Sequence, residues 1–257
     1  MAIIALNYFV LRTLRQQNAL LEGSNLIELG ESNWYGDLPL GNLAQDIEAL
    51  VADKSRREAL LAELKPITSA ENRGLYRLAK IYFKGVGGCA THESIDPGEP
   101  ESTYKLDLNQ PVNLGKTYDL LVNYGTGEHV FNVFQFYKTA HDLIKPGGIM
   151  VHSAPMTGWI DHGFYNFQPT FFIDLAQANG YELLLLVIGT IKPFAMVQIK
   201  SREHIIELAK SGQLPHNAMI DVAFRKSKDP RDFVAPMQGF YAGALSEEAR
   251  KAWKTLR

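Results

Sequence analysis

The feature that most constrains the fold is a regular alternation of short apolar runs and amphipathic segments between residues 91 and 225. Apolar runs rich in β-favouring residues predict strands over 92–96, 104–108, 118–123, 149–153, 181–189 and 217–225. Helical spacing of apolar residues predicts helices over 130–144, 169–179 and 203–210. Strands separated by helices form a mostly parallel sheet that helices cover on both faces. The sequence therefore predicts an α/β fold.

The first third of the chain follows a different pattern. A helix over 7–21 and a strand over 25–30 are predicted first, and apolar residues then keep helical spacing from Leu43 to Leu64, where Pro66 stops the pattern. A further helix is predicted from Glu71 to Phe83. We interpret the chain as a single domain over 1–257, with a helical insertion at about 37–88 and a C-terminal tail at about 228–257.

Charge and composition exclude several classes of function. The chain has 26 basic and 28 acidic side chains, so it lacks the positive field that a nucleic-acid-binding protein needs, and we expect no nucleic-acid partner. No apolar run reaches the length of about 20 residues that crosses a bilayer, so we expect no membrane partner. The N-terminus resembles no signal peptide, which predicts a cytoplasmic location. A homodimer is left open.

Ligands of an open parallel sheet bind beyond the carboxyl ends of the strands. The residues at the predicted strand ends are 30–34, Asp96, Asp107, 123–129 and 152–155. A carboxylate at such an end can accept hydrogen bonds from both hydroxyls of a ribose, and a glycine lets a ligand approach the backbone closely. These residues are therefore the candidates for a binding site.

Several of these segments resemble the motifs of a known family. Glu28-Leu29-Gly30 looks like a first strand that ends in an acid and a glycine turn, and Asp96 looks like the acid that ends the second strand. The closest match is the run Tyr118–Val122, followed by Glu128-His129-Val130 and Lys145-Pro146-Gly147-Gly148. Residues 25–227 thus resemble the class I S-adenosylmethionine-dependent methyltransferases that act on small molecules.

This resemblance implies a fold, a cofactor and a substrate class. The fold is a Rossmann-like three-layer sandwich. Its sheet has seven strands, which are mostly parallel, and the last of the seven is antiparallel. The cofactor is S-adenosylmethionine, and the partner is a small-molecule methyl acceptor. In the family, about 20 positions separate the first glycine from the acid that ends the second strand. Here 66 positions separate Gly30 from Asp96, which agrees with the inserted helical segment.

The resemblance also implies which residues contact the cofactor. Asp96 would accept the ribose hydroxyls, and Asp107 with Leu108 would contact the adenine ring. Since a sulfonium is a cation, Trp34, Tyr35 and Tyr124 offer aromatic faces that suit it. The full set of predicted cofactor-binding residues is Glu28, Gly30, Asn33, Asp96, Asp107, Leu108, Asn123, Tyr124 and Gly125.

The aromatic segment 159–167 is the candidate acceptor site, because aromatic side chains around a polar group can shape an apolar pocket. We predict His129, His162 and Tyr165 as catalytic residues, since an imidazole that titrates near neutrality can remove a proton from an acceptor. The spacing of the histidines places no pair on one helix face, and we predict no metal site. His141 is interpreted as a core residue.

Two other functions compete with methyl transfer. Two and four positions after Gly30, where the family has glycines, this chain has Ser32 and Trp34. This change in the turn is compatible with a catalytically inactive scaffold that binds S-adenosylmethionine. A nicotinamide-dependent oxidoreductase would share the sheet and the ribose-binding acid. It is less favoured, because residues 30–35 do not form the Gly-x-Gly-x-x-Gly turn of dinucleotide-binding proteins.

Overall fold

The computed structural model describes residues 2–67, 72–229 and 231–255. The strands of this part of the chain are β1 Ala2–Ile3, β2 Ser24–Leu29, β3 Asn33–Trp34, β4 Cys89–Ile95, β5 Tyr118–Tyr124, β6 Ile144–Pro155, β7 Glu182–Thr190, β8 Ala195–Gln198 and β9 Met219–Arg225. The helices are α1 Ala5–Gln16, α2 Leu40–Leu50, α3 Lys54–Leu64, α4 Asn72–Gly85, α5 Val133–Leu143, α6 Pro169–Asn179, α7 Arg202–Lys210 and α8 Glu247–Thr255. A short 3-10 helix, Gly127–His129, follows β5.

Seven strands form the main sheet in the order β4-β2-β5-β6-β9-β7-β8. Strands β4, β2, β5 and β6 are parallel to one another, whereas β9 runs antiparallel to both β6 and β7. This architecture confirms the predicted Rossmann-like α/β fold with seven strands and an antiparallel last strand. The short strands β1 and β3 pair with each other outside this sheet.

One predicted strand is wrong. The segment 104–108 contributes an isolated bridge between Ile95 and Tyr104 and no strand. The chain leaves the sheet after Tyr104 because Asp107 accepts hydrogen bonds from the backbone and side chain of Asn109 and closes a turn. The seventh strand is β8, which pairs with β7 and was not predicted.

Alternate residues of the central strands enter two separate hydrophobic clusters. Leu26, Leu120 and Val151 pack on one face with the helices α1 to α4. Ile27 and Leu121 pack on the other face with α5, α6 and α7. This period of two, with both faces buried, is the reason that these strands are almost entirely apolar.

The helical segment between β3 and β4 contains three helices where the sequence pattern predicted two. The predicted run from Leu43 to Leu64 is broken at Asp53, whose carboxylate accepts a hydrogen bond from the N–H of Arg56 and begins α3. The last helix, α4, begins at Asn72, while the predicted start at Glu71 lies outside the described residues. The division into one domain with an insertion and a tail stays a prediction.

A buried polar network connects α1 to the sheet. The Asn7 side chain donates from Nδ2 to Oδ2 of Asp221 on β9 at 2.8 Å, and the Ser153 hydroxyl on β6 donates to Oδ1 at 2.6 Å. Asp221 is fully buried, and this burial raises the pKa of its carboxyl group from 3.8 to about 7 despite the two hydrogen bonds. The network therefore contains a carboxyl group that titrates near neutrality.

No helix in the described ranges combines the length and the apolar character that a membrane crossing needs.

The Asp221 carboxyl group should make folding depend on pH. Between its unfolded pKa near 3.8 and its folded pKa near 7, the folded state binds one more proton than the unfolded state, so the free energy of unfolding falls as the pH rises. The substitution Asp221→Asn removes this titration. We expect urea unfolding between pH 5 and pH 8 to show the wild type losing up to about 1.4 kcal/mol per pH unit relative to the variant.

Asp232→Asn serves as the matched control, because Asp232 is exposed and its removal should leave the pH profile of the wild type unchanged. Parallel profiles for the wild type and Asp221→Asn would contradict the assignment of the titrating group.

Candidate functional site

The turn after β2 is built by the residues that the sequence analysis placed in the first motif. Gly30 has a φ of +84°, a left-handed conformation that favours glycine, and its N–H donates to the carbonyl of Ile95 at 2.8 Å. The buried Glu28 carboxylate accepts the N–H of Ser32 at 3.1 Å and contacts Nε2 of His92 at 2.8 Å. Glu28 thus holds the turn in shape and joins the ends of β2 and β4.

Asp96 follows β4 and lies beside this turn. Its Oδ2 accepts the N–H of Glu31 at 3.1 Å, while Oδ1 accepts the N–H groups of Gly98 and Glu99 at 2.8 and 3.0 Å. A carboxylate oxygen can accept two hydrogen bonds, so Oδ2 keeps one lone pair for a further donor. Asp96 is half-buried, and this lone pair is the one that a ribose hydroxyl could use.

A third turn, after β5, completes the row of strand ends. The Asn123 side chain accepts the N–H groups of Thr126 and Gly127 through Oδ1, and Gly125 donates its N–H to the carbonyl of Ser153. The Thr126 hydroxyl donates to the carbonyl of Leu29 at 2.5 Å. The ends of β2, β5 and β6 are therefore joined to each other by hydrogen bonds.

A cavity of about 530 Å³ opens at these strand ends. Its lining consists of Ala2, Ile4, Asn7, Asn33, Tyr35, Tyr124, Gly125, Glu128, His129, Ser153, Trp159, His162, Ile191 and Met219. None of these lining residues is a lysine or an arginine, and Glu128 is the one carboxylic acid among them. Another depression, of about 600 Å³, lies next to residues 111–117 before β5 and thus at the opposite end of that strand.

Glu128 is the most unusual residue of the cavity. It is 1% exposed, its Oε2 has no hydrogen-bond partner in the part of the chain that the structure describes, and burial raises the pKa of its carboxyl group to about 7. The loop after β6 covers it, because the N–H of Phe164 donates to the Glu128 carbonyl at 2.7 Å. A Cβ atom at Gly163 would lie 3.0 Å from that carbonyl, so glycine permits this close approach.

The same loop places His162 beside His129. The centroids of their rings are 5.0 Å apart, and Nε2 of His162 lies 3.9 Å from Oε1 of Glu128. Burial, together with the neighbouring His162, lowers the pKa of His129. Trp159 and Asp161 adopt left-handed φ values of 53° and 60°, a conformation that is costly for a bulky residue such as tryptophan. Such strain is typical of loops that hold functional side chains.

The structure brings part of the predicted site together. Five of the predicted residues line the cavity, namely Asn33, Tyr124, Gly125, His129 and His162. Glu28, Gly30, Asn123 and Asp96 build the turns around it. Of the aromatic side chains considered for the sulfonium, Tyr35 and Tyr124 line the cavity, whereas Trp34 packs in the core against Tyr8 and Tyr82.

Three predicted residues are not brought to the cavity. Asp107 is exposed and bonded within its own turn, and Leu108 is buried in the second hydrophobic cluster. The Tyr165 hydroxyl donates to the Phe131 carbonyl at 2.8 Å, so it is occupied by a backbone contact away from the cavity lining. The interpretation of His141 as a core residue is confirmed, because its ring bonds to the Tyr181 hydroxyl and to the carbonyl of Arg231.

Sequence reasoning missed Asn7 as a site residue, and it included Ser153 and Glu128 only within the strand-end ranges, without giving either a role. Asn7 lies on α1, and no sequence spacing relates it to Asp221, more than two hundred positions away. Glu128 stands in the segment Glu128-His129-Val130 that carried the resemblance, but its burial and its proximity to His162 depend on the loop after β6. That loop also assembles Glu128, His129 and His162 so that three potential ligand atoms lie within 4.8 Å of one another.

No family model matches this chain. A curated relative, the mitochondrial sulfite oxidase of Mus musculus, is 27% identical over 144 residues, and the match covers 52% of this chain but only 26% of that protein. Two solved structures align with most of this chain. The N-methyltransferase NodS from Bradyrhizobium japonicum WM9 is 12% identical, with a TM-score of 0.46 over 86% of this chain and 95% of that one. An S-adenosylmethionine-dependent methyltransferase from Mesorhizobium loti is also 12% identical, with a TM-score of 0.43 over 82% and 95%.

Proposed function

We propose that this chain transfers a methyl group from S-adenosylmethionine to a small-molecule acceptor. The observation that carries the proposal is the chemistry of the cavity at the strand ends. Aromatic rings, one buried carboxyl group and neutral polar side chains line it, and the lining residues include no lysine or arginine. Such a lining favours a cationic ligand such as a sulfonium, because aromatic faces and carboxylates stabilise positive charge.

The turns around the cavity suit the remainder of the cofactor. Asp96 retains one acceptor position on Oδ2, which can bind a ribose hydroxyl. Gly30 and Gly125 leave room for a ligand to approach the backbone at the ends of β2 and β5. The turns that contain these residues are hydrogen-bonded to each other, so they need little rearrangement before the cofactor binds.

The acceptor would bind at the part of the cavity that the loop 159–164 covers. When bound, the cofactor supplies an electrophilic methyl group, and placing the acceptor in line with it provides most of the rate enhancement. His129 and His162 line this part of the cavity, and burial lowers the pKa of His129, which favours the neutral form of its imidazole. A neutral imidazole can accept a proton from an acceptor hydroxyl or amine.

The cofactor assignment predicts different effects for two aspartates. We expect Asp96→Asn to weaken the binding of S-adenosylhomocysteine at least about tenfold, because an uncharged amide accepts ribose hydroxyls less strongly than a carboxylate does. Asp107→Asn is the matched control, since Asp107 is exposed and bonded within its own turn. This variant should bind S-adenosylhomocysteine as tightly as the wild type does. Isothermal titration calorimetry on the three proteins measures both effects.

Wild-type protein that binds neither S-adenosylmethionine nor S-adenosylhomocysteine would refute the proposal. Binding without methyl transfer to any of a broad panel of hydroxyl, amine and thiol acceptors would instead support the inactive scaffold.

Tyr35 should distinguish the two forms of the cofactor. Its ring is half exposed and lines the cavity, where it can face the positive sulfonium of S-adenosylmethionine but gains nothing from the neutral sulfur of the product. A cation–π contact contributes about 0.5–2 kcal/mol, so Tyr35→Leu should weaken binding of S-adenosylmethionine roughly two- to thirtyfold. Binding of S-adenosylhomocysteine, titrated in the same way, should change little.

Tyr35→Phe keeps the aromatic face and should retain the preference of the wild type. An equal loss of affinity for both forms of the cofactor in Tyr35→Leu would show that the ring acts only by packing.

A further inference from the structure

We propose that Glu128, His129 and His162 bind a divalent first-row transition cation, with Zn²⁺ as the ion that best matches two imidazoles and one carboxylate. This donor set is one of those that catalytic zinc sites use, with three protein ligands and at least one position left open. The site lies in the cavity at the strand ends, next to the proposed binding place of the acceptor.

The geometry of the three side chains is close to that of a loaded site. Ligand atoms lie about 2.0–2.2 Å from a zinc ion, so two ligands of a tetrahedral ion are about 3.3–3.6 Å apart. Oε1 of Glu128 and Nε2 of His162 are 3.9 Å apart, and the three potential ligand atoms all lie within 4.8 Å. His129 and His162 are exposed, so their rings have room to move the short distance toward Glu128 that binding one ion requires.

The buried carboxyl group of Glu128 is an independent reason to expect a ligand. A carboxylate without a full set of partners is costly to bury, and Oε2 of Glu128 has no hydrogen-bond partner among the described residues while the residue is only 1% exposed. The neighbouring backbone contact from Phe164 uses the Glu128 carbonyl and leaves the side chain free to face the cavity. A bound cation would supply the interaction that this carboxyl group lacks.

The surroundings of the two histidines suit a bound cation. Their ring centroids are 5.0 Å apart, so both imidazoles lie close enough to approach one ion. The cavity lining includes no lysine or arginine, so none of the lining side chains places a fixed positive charge beside the cation. The loop that carries His162 is held against Glu128 by the hydrogen bond from the N–H of Phe164 to the Glu128 carbonyl.

The open positions of such an ion would face the cavity. An oxygen or nitrogen of the acceptor could bind there, and a bound hydroxyl would lose its proton more readily than a free one. This role rests on the proposed methyl transfer, whereas the binding of the cation itself does not.

The test is a titration of the full chain, stripped with EDTA and exchanged into metal-free buffer without cofactor, with Zn²⁺ alone at pH 7.5. Isothermal titration calorimetry should show one Zn²⁺ per chain. We expect Glu128→Gln and His162→Gln each to weaken binding at least about tenfold, because each removes one of three ligands. Co²⁺ provides a second readout, since its visible absorption reports a change in the ligand set.

His204→Ala is the matched control, because His204 lies on α7 and does not line the cavity, and its Zn²⁺ affinity should equal that of the wild type. Thermal unfolding checks that every variant is folded. If His162→Gln does not fold, His162→Ala takes its place. Absence of stoichiometric Zn²⁺ binding to the wild type, or equal affinity in the wild type and both ligand variants, would overturn the inference. Titration of the EDTA-treated chain with S-adenosylhomocysteine separates this result from a failure of the proposed function.

Discussion

The hydrogen bonds that join the ends of neighbouring parallel strands are the interactions on which the rest of the site depends. Gly30 bonds to Ile95 across β2 and β4, and Thr126 bonds to Leu29 across β5 and β2. Parallel strands end at the same edge of the sheet, and these bonds keep their turns in a fixed relation to one another. Because of this row of turns, Asp96 and Gly125 lie at a common edge although they are distant in sequence.

A polar hydrogen-bond network contributes to the floor of the cavity, whereas a loop with a strained backbone covers it. The network of Asn7, Ser153 and Asp221 forms part of the floor, where secondary-structure elements from both ends of the chain meet. The cover is the loop after β6, in which Trp159 adopts a costly left-handed backbone conformation. Polar and titratable groups thus surround a space whose lining residues include no lysine or arginine, and this is the common basis of the two proposals.

The secondary structure was the part most readily predicted from sequence. Strands such as β5 are buried on both faces and therefore appear as continuous apolar runs, and the helix Pro169–Asn179 begins with proline and ends at a left-handed glycine. The errors have local causes. The segment 104–108 leaves the sheet because Asp107 closes a turn, and the predicted helix over 43–64 is divided where Asp53 begins a new one.

The sequence by itself determined the α/β class and the row of candidate residues at the strand ends, because the period of apolar residues and the turn-forming glycines act locally. Only the tertiary structure decided which candidates face the cavity. Tyr165 and His162 are neighbours in one aromatic loop, yet the hydroxyl of Tyr165 bonds to the carbonyl of Phe131 while His162 lies beside Glu128. Their positions depend on how that loop packs on the turn after β5, and packing between distant segments leaves no periodic signal in a single sequence.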